Sequence, residues 1–282
     1  MTSQILLFYK YVTVEDPATL ASWLIERGTE HKLTGRIIVA EEGLNGTVEG
    51  SIEDTEAFAL ELLADSRFTD VTVKRSEGTG AAFPKLSVKV REEIVGTRFP
   101  KHVDPRRRTA THLPAEALRN WYEEGKDFVV VDMRNDYEYQ SGHFKNSVNP
   151  GLENSRDLPS ALPKLAALKN KTVLTVCTGG IRCEKMSALL LEEGFTDVYQ
   201  LDNGIHGYME KYPGQDFLGS LYTFDDRKTM HFGGEREVIG RCRFCDAATE
   251  KYVNCANDFC HLHFIVCEDC SGSRSVFCSR DC

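Results

Sequence analysis

The chain reads as a multidomain protein, α+β and then α/β, closed by a metal-stapled tail, and three observations carry that reading. Residues 4–90 run through strand and helix patterns in the order β-α-β-β-α-β. Residues 112–211 alternate apolar strand runs with helical segments, which is the pattern of a parallel sheet. Eight of the ten cysteines fall between Cys242 and Cys282, none precedes Cys177, and the remaining pair is Cys177 and Cys183. The 282 residues suit two or three domains. The composition places the boundaries at 1–97, a linker over 98–111, a central domain over 112–219 and a tail over 220–282.

In the first region, residues 4–12 are a strand candidate. Asp16 before Pro17 starts a helix, because proline is preset for the first helical position. Leu20, Trp23, Leu24, Ile25 and Leu33 supply its apolar side. Residues 35–40 are a second strand, 41–46 a turn, and 47–49 open a third strand. Ser51 with Asp54 three residues on caps a helix over 51–63, with Phe58, Leu60, Leu62 and Leu63 available for burial. Residues 71–74 are a fourth strand and 83–90 a fifth. This order predicts a ferredoxin-like (acylphosphatase-like) sandwich. The Arg and Asn that acylphosphatase chemistry needs are not legible, so a binding or docking role is the reading here.

The linker carries Pro100, Pro105 and the run Arg106-Arg107-Arg108. Across 101–111 four Lys/Arg stand against one Asp, a local +3 in a chain of formal net charge −9. Two readings stay open for it, a solvated surface or a contact with nucleic-acid phosphates, which Arg and Lys make irrespective of fold.

In the central region Pro114 and Glu116 open a helix toward Leu118, Trp121 and Tyr122. Residues 128–131 are a buried-type strand ending at Asp132-Met133-Arg134, followed by Glu138 and Gly142-His143-Phe144. Residues 162–168 are a short helix, 173–176 the central strand, 184–193 a helix with Met186, Leu189, Leu190 and Leu191 on its apolar side, and 197–201 another strand. The turn between central strand and helix is Cys177-Thr178-Gly179-Gly180-Ile181-Arg182, then Cys183. A cysteine at a strand end, in a loop that opens a helix, meets inward N–H groups and the positive end of the helix. Both favour the thiolate, which is the nucleophile. Gly179 and Gly180 let the backbone curl, and Arg182 adds a fixed cation. The alternative is an inert buried cysteine on a core strand.

Cys-x-x-Gly-x-Arg between strand and helix resembles the active-site loop of the rhodanese superfamily. The six residues from Cys177 to Arg182 match the sulfur-handling members; the related phosphatases have one residue more and His before the Cys, where this chain has Val176. The resemblance implies a rhodanese α/β domain with Thr178, Gly179, Gly180 and Ile181 around the bound substrate group. It also implies mainly structural roles for Asp132 and Arg134, and a packed rather than catalytic His143. Asp202-Asn203-Gly204-Ile205-His206-Gly207-Tyr208 resembles the motif that closes such domains.

The tail spacings are Cys242-x2-Cys245, Cys255-x4-Cys260, Cys267-x2-Cys270 and Cys278-x3-Cys282. Four pairs on turns fit two tetrahedral thiolate sites for structural zinc. Alternating pairs would cross-brace them, 242/245 with 267/270 and 255/260 with 278/282. His261 or His263 in place of a cysteine, or disulfides, are the alternatives. So few apolar residues fold poorly without such staples.

Several function classes are disfavoured. No apolar run is long enough to span a bilayer. The short apolar patch at residues 5–9 lacks a basic flank, so no membrane and a cytoplasmic location are the expectation. In a reducing compartment the clustered cysteines read as metal ligands first, and Asn45-Gly46-Thr47 as a turn rather than a glycosylation site. The acidic net charge argues against wholesale electrostatic nucleic-acid binding, and no DNA partner is expected.

Taken together, Glu42-Gly43-Leu44-Asn45-Gly46-Thr47, the loop with its second cysteine through Lys185, and the cysteine-rich tail resemble the oxygen-dependent tRNA uridine-34 hydroxylase family over nearly the full chain. The resemblance implies hydroxylation of the wobble uridine to 5-hydroxyuridine, with tRNA (its anticodon arm) as partner and molecular oxygen as co-substrate. It makes Cys177 the essential sulfur. Cys183 is either the residue that resolves an oxidised Cys177 or itself the nucleophile. No flavin, dinucleotide or two-His-one-carboxylate pattern is legible. A sulfurtransferase passing persulfide sulfur from Cys177, with the flanking domains choosing partners, is the second reading, and a dead rhodanese acting as an adaptor a third.

Overall fold

The computed structural model describes residues 3–101, 103–233, 237–272, 276–280 and 282. Met1 and Thr2 at the start, and His102 in the linker, lie outside the described residues.

The first domain comprises β1 (Ser3–Tyr11), α1 (Pro17–Glu30), β2 (Thr34–Ala40), β3 (Gly43–Ser51), α2 (Ile52–Ala64), β4 (Lys74–Gly78) and β5 (Leu86–Val90). The strand order is β4-β1-β3-β2-β5, antiparallel except for β2 with β5. Asp16 accepts from the Thr19 amide to cap α1, and Ser51 accepts from the Asp54 amide to cap α2. One sheet face, with Leu6, Phe8, Ile37, Val39, Leu44 and Val48, packs on Leu20, Leu24, Phe58 and Leu62 of the helices. Strand alternation therefore turns Leu7, Tyr9, Arg36, Ile38, Asn45 and Thr47 to the other face. Part of that face is covered locally, by Ala82 and Phe83 against Ile5 and by the segment at Ile94 beside Asn45, and the second domain meets the rest.

Three expectations are corrected here. Ile25 and Leu60 are exposed, at 47% and 70%, because the apolar stripes of α1 and α2 are narrower than their leucine content suggests. Ala40 pairs with Gly43, so residues 43–46 extend β3 and the turn shrinks to Glu41-Glu42. The fourth strand begins at Lys74, where it was expected to end; Val71 and Val73 pack on the helical core without pairing to a neighbour strand.

The second domain contains β6 (Thr111–Leu113), α3 (Ala115–Glu123), β7 (Val129–Asp132), α4 (Asp136–Ser141), β8 (Gly142–Phe144), α5 (Leu158–Leu165), β9 (Thr172–Val176), α6 (Ile181–Glu192), β10 (Asp197–Leu201) and α7 (Gly204–Lys211). Its sheet, in the order β6-β10-β9-β7, is wholly parallel. Met186, Leu189 and Leu190 of α6 and Leu165 of α5 fill one side; Leu118, Ile205 and Tyr208 fill the other. The edge strand β6 straddles the expected boundary, since Thr111 falls in the stretch read as linker and the other two residues in the central domain. Helix α6 begins at Ile181 rather than 184, its first turn being the end of the loop itself.

Beyond it, β11 (Phe217–Gly219) pairs with β8, and β12 (Leu221–Tyr222) with β13 (Thr229–Met230). The tail holds β14 (Tyr252–Asn254), β15 (His263–Ile265) and α8 (Glu268–Ser271). Among the described residues no helix is long and apolar enough to cross a membrane.

Candidate active site

Strand β9 delivers Cys177 to the carboxyl edge of the parallel sheet, where crevices form in such folds. Gly180 turns the chain at φ +101°, a conformation costly for any side chain, and a Cβ there would lie 2.8 Å from the Tyr9 hydroxyl. Its amide donates to the Cys177 sulfur at 3.3 Å. The first turn of α7 anchors the loop from behind: the amides of Ile205 and His206 donate to the carbonyls of Cys177 and Thr178 at 2.9 and 3.0 Å. Gly204 permits this approach, since a Cβ would sit 2.6 Å from the Cys177 carbonyl oxygen.

Cys177 is fully buried. Burial pushes its thiol up, yet the Cys183 thiol, the Arg182 guanidinium and the amides of Cys183 and Arg182 outweigh that and lower its pKa to about 6. Burial and the neighbouring Cys177 drive Cys183 well above the thiol range. The pair is therefore asymmetric, an ionised Cys177 facing a neutral, hydrogen-bonding Cys183.

The cation of the loop is fixed by an ion pair. Arg182 donates to Glu138 through both terminal nitrogens, at 2.5 and 2.8 Å, and Glu138 is fully buried. Glu138 is itself fixed by the Asn135 amide at the start of α4. Arg182 thus rims the loop as half of an ion pair, which weakens its pull on the sulfur relative to a lone guanidinium. Asp132 and Arg134 form a second buried ion pair, and Arg134 also donates to the Gly142 carbonyl, so both order the surrounding loops. The His143 Nδ1 hydrogen-bonds with the Tyr139 carbonyl and its ring stacks on Tyr139.

The first domain covers the loop with its unpaired sheet face. Leu7 and Tyr9 press on Gly179 and Gly180, and the Tyr9 and Tyr11 hydroxyls reach Glu184 and the Ile181 carbonyl at 3.4 Å. Burial raises the Tyr9 pKa, as do the charges of Glu184 and Cys177, so this hydroxyl stays protonated. Lys185, 3% exposed, bridges Glu42 and Glu93 across the junction at 2.8 and 3.0 Å. Lys74 lies 5.3 Å from the Tyr9 ring, its pKa lowered to about 8 by burial. None of these cross-domain residues stood out in the sequence. Glu42, Asn45 and Lys185 sat inside quoted motifs, and that was the available signal.

Between the domains a cavity of about 330 Å³ opens against Thr178, Gly179, Ile181 and Arg182. Leu7, Arg36, Ile38, Asn45 and Thr47 line it from the sheet face, and Phe224 from the segment after the second domain. Arg106, Arg107 and Arg108 lie elsewhere. All three are exposed on a turn, and Arg106 is tied to Asp104 and Thr13.

In the tail, Cys242, Cys245, Cys267 and Cys270 bring their sulfurs within 4.8 Å of one another, as do Cys255, Cys260, Cys278 and Cys282. Sulfurs around a tetrahedral zinc stand about 3.8 Å apart, and Cys245–Cys267, Cys255–Cys282 and Cys260–Cys278 are at 3.5, 3.4 and 3.7 Å. The two sets could each hold a metal ion. His263 is instead engaged by Tyr222 and Asn254, and neither it nor His261 belongs to a set. Tyr137 of α4 packs edge-on against Tyr222, Tyr252 and His263, joining this tail to the helix that carries Glu138.

Family models match in chain order: a UPF0176 acylphosphatase-like domain over residues 3–94, a rhodanese-like domain over 114–211 and a rhodanase C-terminal domain over 218–282. A curated protein of Staphylococcus carnosus (strain TM300) named tRNA uridine(34) hydroxylase is 40% identical over 286 residues, covering all of this chain and 90% of that protein. Its namesake in Staphylococcus aureus (strain MRSA252) is 41% identical with the same coverage. Among solved structures, a rhodanese-like domain protein from Staphylococcus aureus is 25% identical over 35% of this chain and 90% of that one, with a TM-score of 0.30.

Proposed function

This chain belongs to the tRNA uridine(34) hydroxylase family, and from that premise we propose that it converts the wobble uridine of tRNA to 5-hydroxyuridine with molecular oxygen. The observation that carries the reading is the buried Cys177 sulfur, which accepts a hydrogen bond from the Gly180 amide in a loop that walls an inter-domain cavity. In the net reaction the uracil C5–H bond becomes C5–OH. One oxygen atom enters the product, and the other leaves as water with two electrons and two protons from an external reductant. Cys177 is the essential sulfur, Cys183 stabilises its anion, and Arg182 with Thr178, Gly179, Gly180 and Ile181 shapes the site. Arg106, Arg107 and Arg108, exposed on their turn, suit the phosphates of the anticodon arm, whose unstacked bases are accessible to a protein.

The eight tail cysteines hold two structural zinc ions; all-sulfur sets with four ligands leave no open position for catalysis. A cytoplasmic location follows from a tRNA substrate and from cysteines kept as thiols. The domain limits 1–97, 98–111, 112–219 and 220–282 accord with these roles.

A sulfurtransferase remains the second reading, favoured by a thiolate that suits persulfide chemistry. Nucleoside mass spectrometry of tRNA from cells lacking the gene, complemented with wild type, Cys177→Ala or Cys183→Ala, separates the two. Loss of 5-hydroxyuridine derivatives, restored by wild type and not by Cys177→Ala, is the result expected. Unchanged uridine-34 chemistry with lost persulfide transfer gives the activity to the sulfurtransferase.

A further inference from the structure

We propose that the inter-domain cavity is a base-reading pocket, in which Arg36 and Asn45 read the edge of an extruded uracil and Phe224 stacks on its face. The proposal rests on the uridine-34 reading above and names the residues that select the base.

The wall chemistry argues for a pyrimidine. The cavity, about 330 Å³, falls in the small-ligand range of roughly 300–1,000 Å³. Its floor is the sheet face left open by the α1 and α2 packing, with Leu7 and Ile38 as apolar ground. On that ground stands Arg36, an exposed guanidinium with no ion pair or hydrogen bond among the described residues. An arginine in a cavity with its donors unspent is suited to carbonyl oxygens. Beside it, Asn45 is oriented by one bond: its Nδ2 donates to the Ile94 carbonyl at 3.1 Å. Its Oδ1 accepts no hydrogen bond among the described residues, so the amide offers an acceptor. Guanidinium donors next to a fixed acceptor complement the edge of uracil, where carbonyl oxygens flank the N3–H. Cytosine has no hydrogen at that nitrogen and presents an amino group in place of one carbonyl.

Phe224 supplies the stacking surface. It lines the cavity, is 49% exposed and lies 5.4 Å from the Arg182 guanidinium, so its ring spans from the loop to solvent. Enzymes that act on a base commonly extrude it, stack it on aromatic or apolar side chains and read its pairing edge. Here the reading residues come from one domain, the sulfur loop from another, and the stacking ring from the segment beyond both. The ferredoxin-like domain thereby becomes the selector of the base.

The test measures binding of anticodon stem-loop RNA, with uridine or cytidine at position 34, to the full chain carrying Cys177→Ser. The parent is expected to prefer uridine by about tenfold, the worth of a good base-edge contact. Arg36→Ala, at an exposed position, and Asn45→Ala should each reduce that preference to less than about twofold. Phe224→Ala should weaken both RNAs alike, and Phe224→Tyr should restore binding. Thermal melting verifies folding, and Arg36→Ala keeps the test open if Asn45→Ala fails to fold. An undiminished preference in folded Arg36→Ala, or no preference in the parent, overturns the proposal. Hydroxylation is assayed separately on wild type: uridine preference that depends on Arg36, without 5-hydroxyuridine formed, would sink the activity and leave the pocket standing.

Discussion

Replacing Cys183 with Ala removes the neighbouring thiol, the foremost influence lowering the Cys177 pKa, and leaves the loop backbone in place. A hydrogen bond to a charged acceptor is worth about 1.5–3 kcal/mol, and each pKa unit corresponds to about 1.4 kcal/mol. The Cys177 pKa, about 6 in the intact site, should therefore rise by about 1–2 units. The sign follows from the thiolate being the reactive form. Wild-type reactivity is full well above pH 6 and is lost as the pH falls through it, whereas in the variant that loss moves to higher pH. At pH 6 the wild-type sulfur is about half ionised and the variant about a tenth or less, a fivefold or greater drop in rate. The assay is the pH dependence of alkylation of the Cys177 peptide, resolved from the tail cysteines by mass spectrometry. A folded Cys183→Ala protein with an unmoved midpoint, or a wild-type midpoint near 9, would refute the argument.

Lys185→Met leaves Glu42 and Glu93 facing each other across the domain junction. A loss of about 2–3 kcal/mol is expected in denaturant unfolding, less than for a fully buried pair because both carboxylates keep some solvent. Glu138→Gln strips the buried counter-ion from Arg182; it should cost about 3–5 kcal/mol and abolish 5-hydroxyuridine formation, and a variant of wild-type stability would contradict the pairing. Metal analysis should return about two zinc ions per chain. Cys267→Ser should lower that to about one and make the tail sensitive to protease, and a wild-type content near zero would dismiss the staples.

Much of this was legible because it is local. The caps at Asp16 and Ser51 are properties of short segments. The glycine turn at Cys177 needs only its own residues to be recognised, and the four cysteine pairs announce themselves by spacing. Alternation along the chain offered the cross-braced grouping of 242/245 with 267/270 as one arrangement among several, and the sulfurs do gather that way. The errors have equally local causes. Leu60 is apolar yet faces solvent, because one helix face suffices for the core, and residues 71–73 carry strand propensity but find no ladder partner.

By itself the sequence determined the three-part architecture, the glycine turn that follows Cys177 and four closely spaced cysteine pairs, since each is written in periodicity, turn chemistry or spacing. Only the tertiary structure decided what surrounds the sulfur. It paired Arg182 with Glu138, 44 residues away, and laid Tyr9 and Tyr11 over a loop some 170 residues further on. It also set Arg36, Asn45 and Phe224 around one cavity. Those meetings depend on how two sheets face each other, and the burial that results, rather than any residue's own character, sets the charge state of the site.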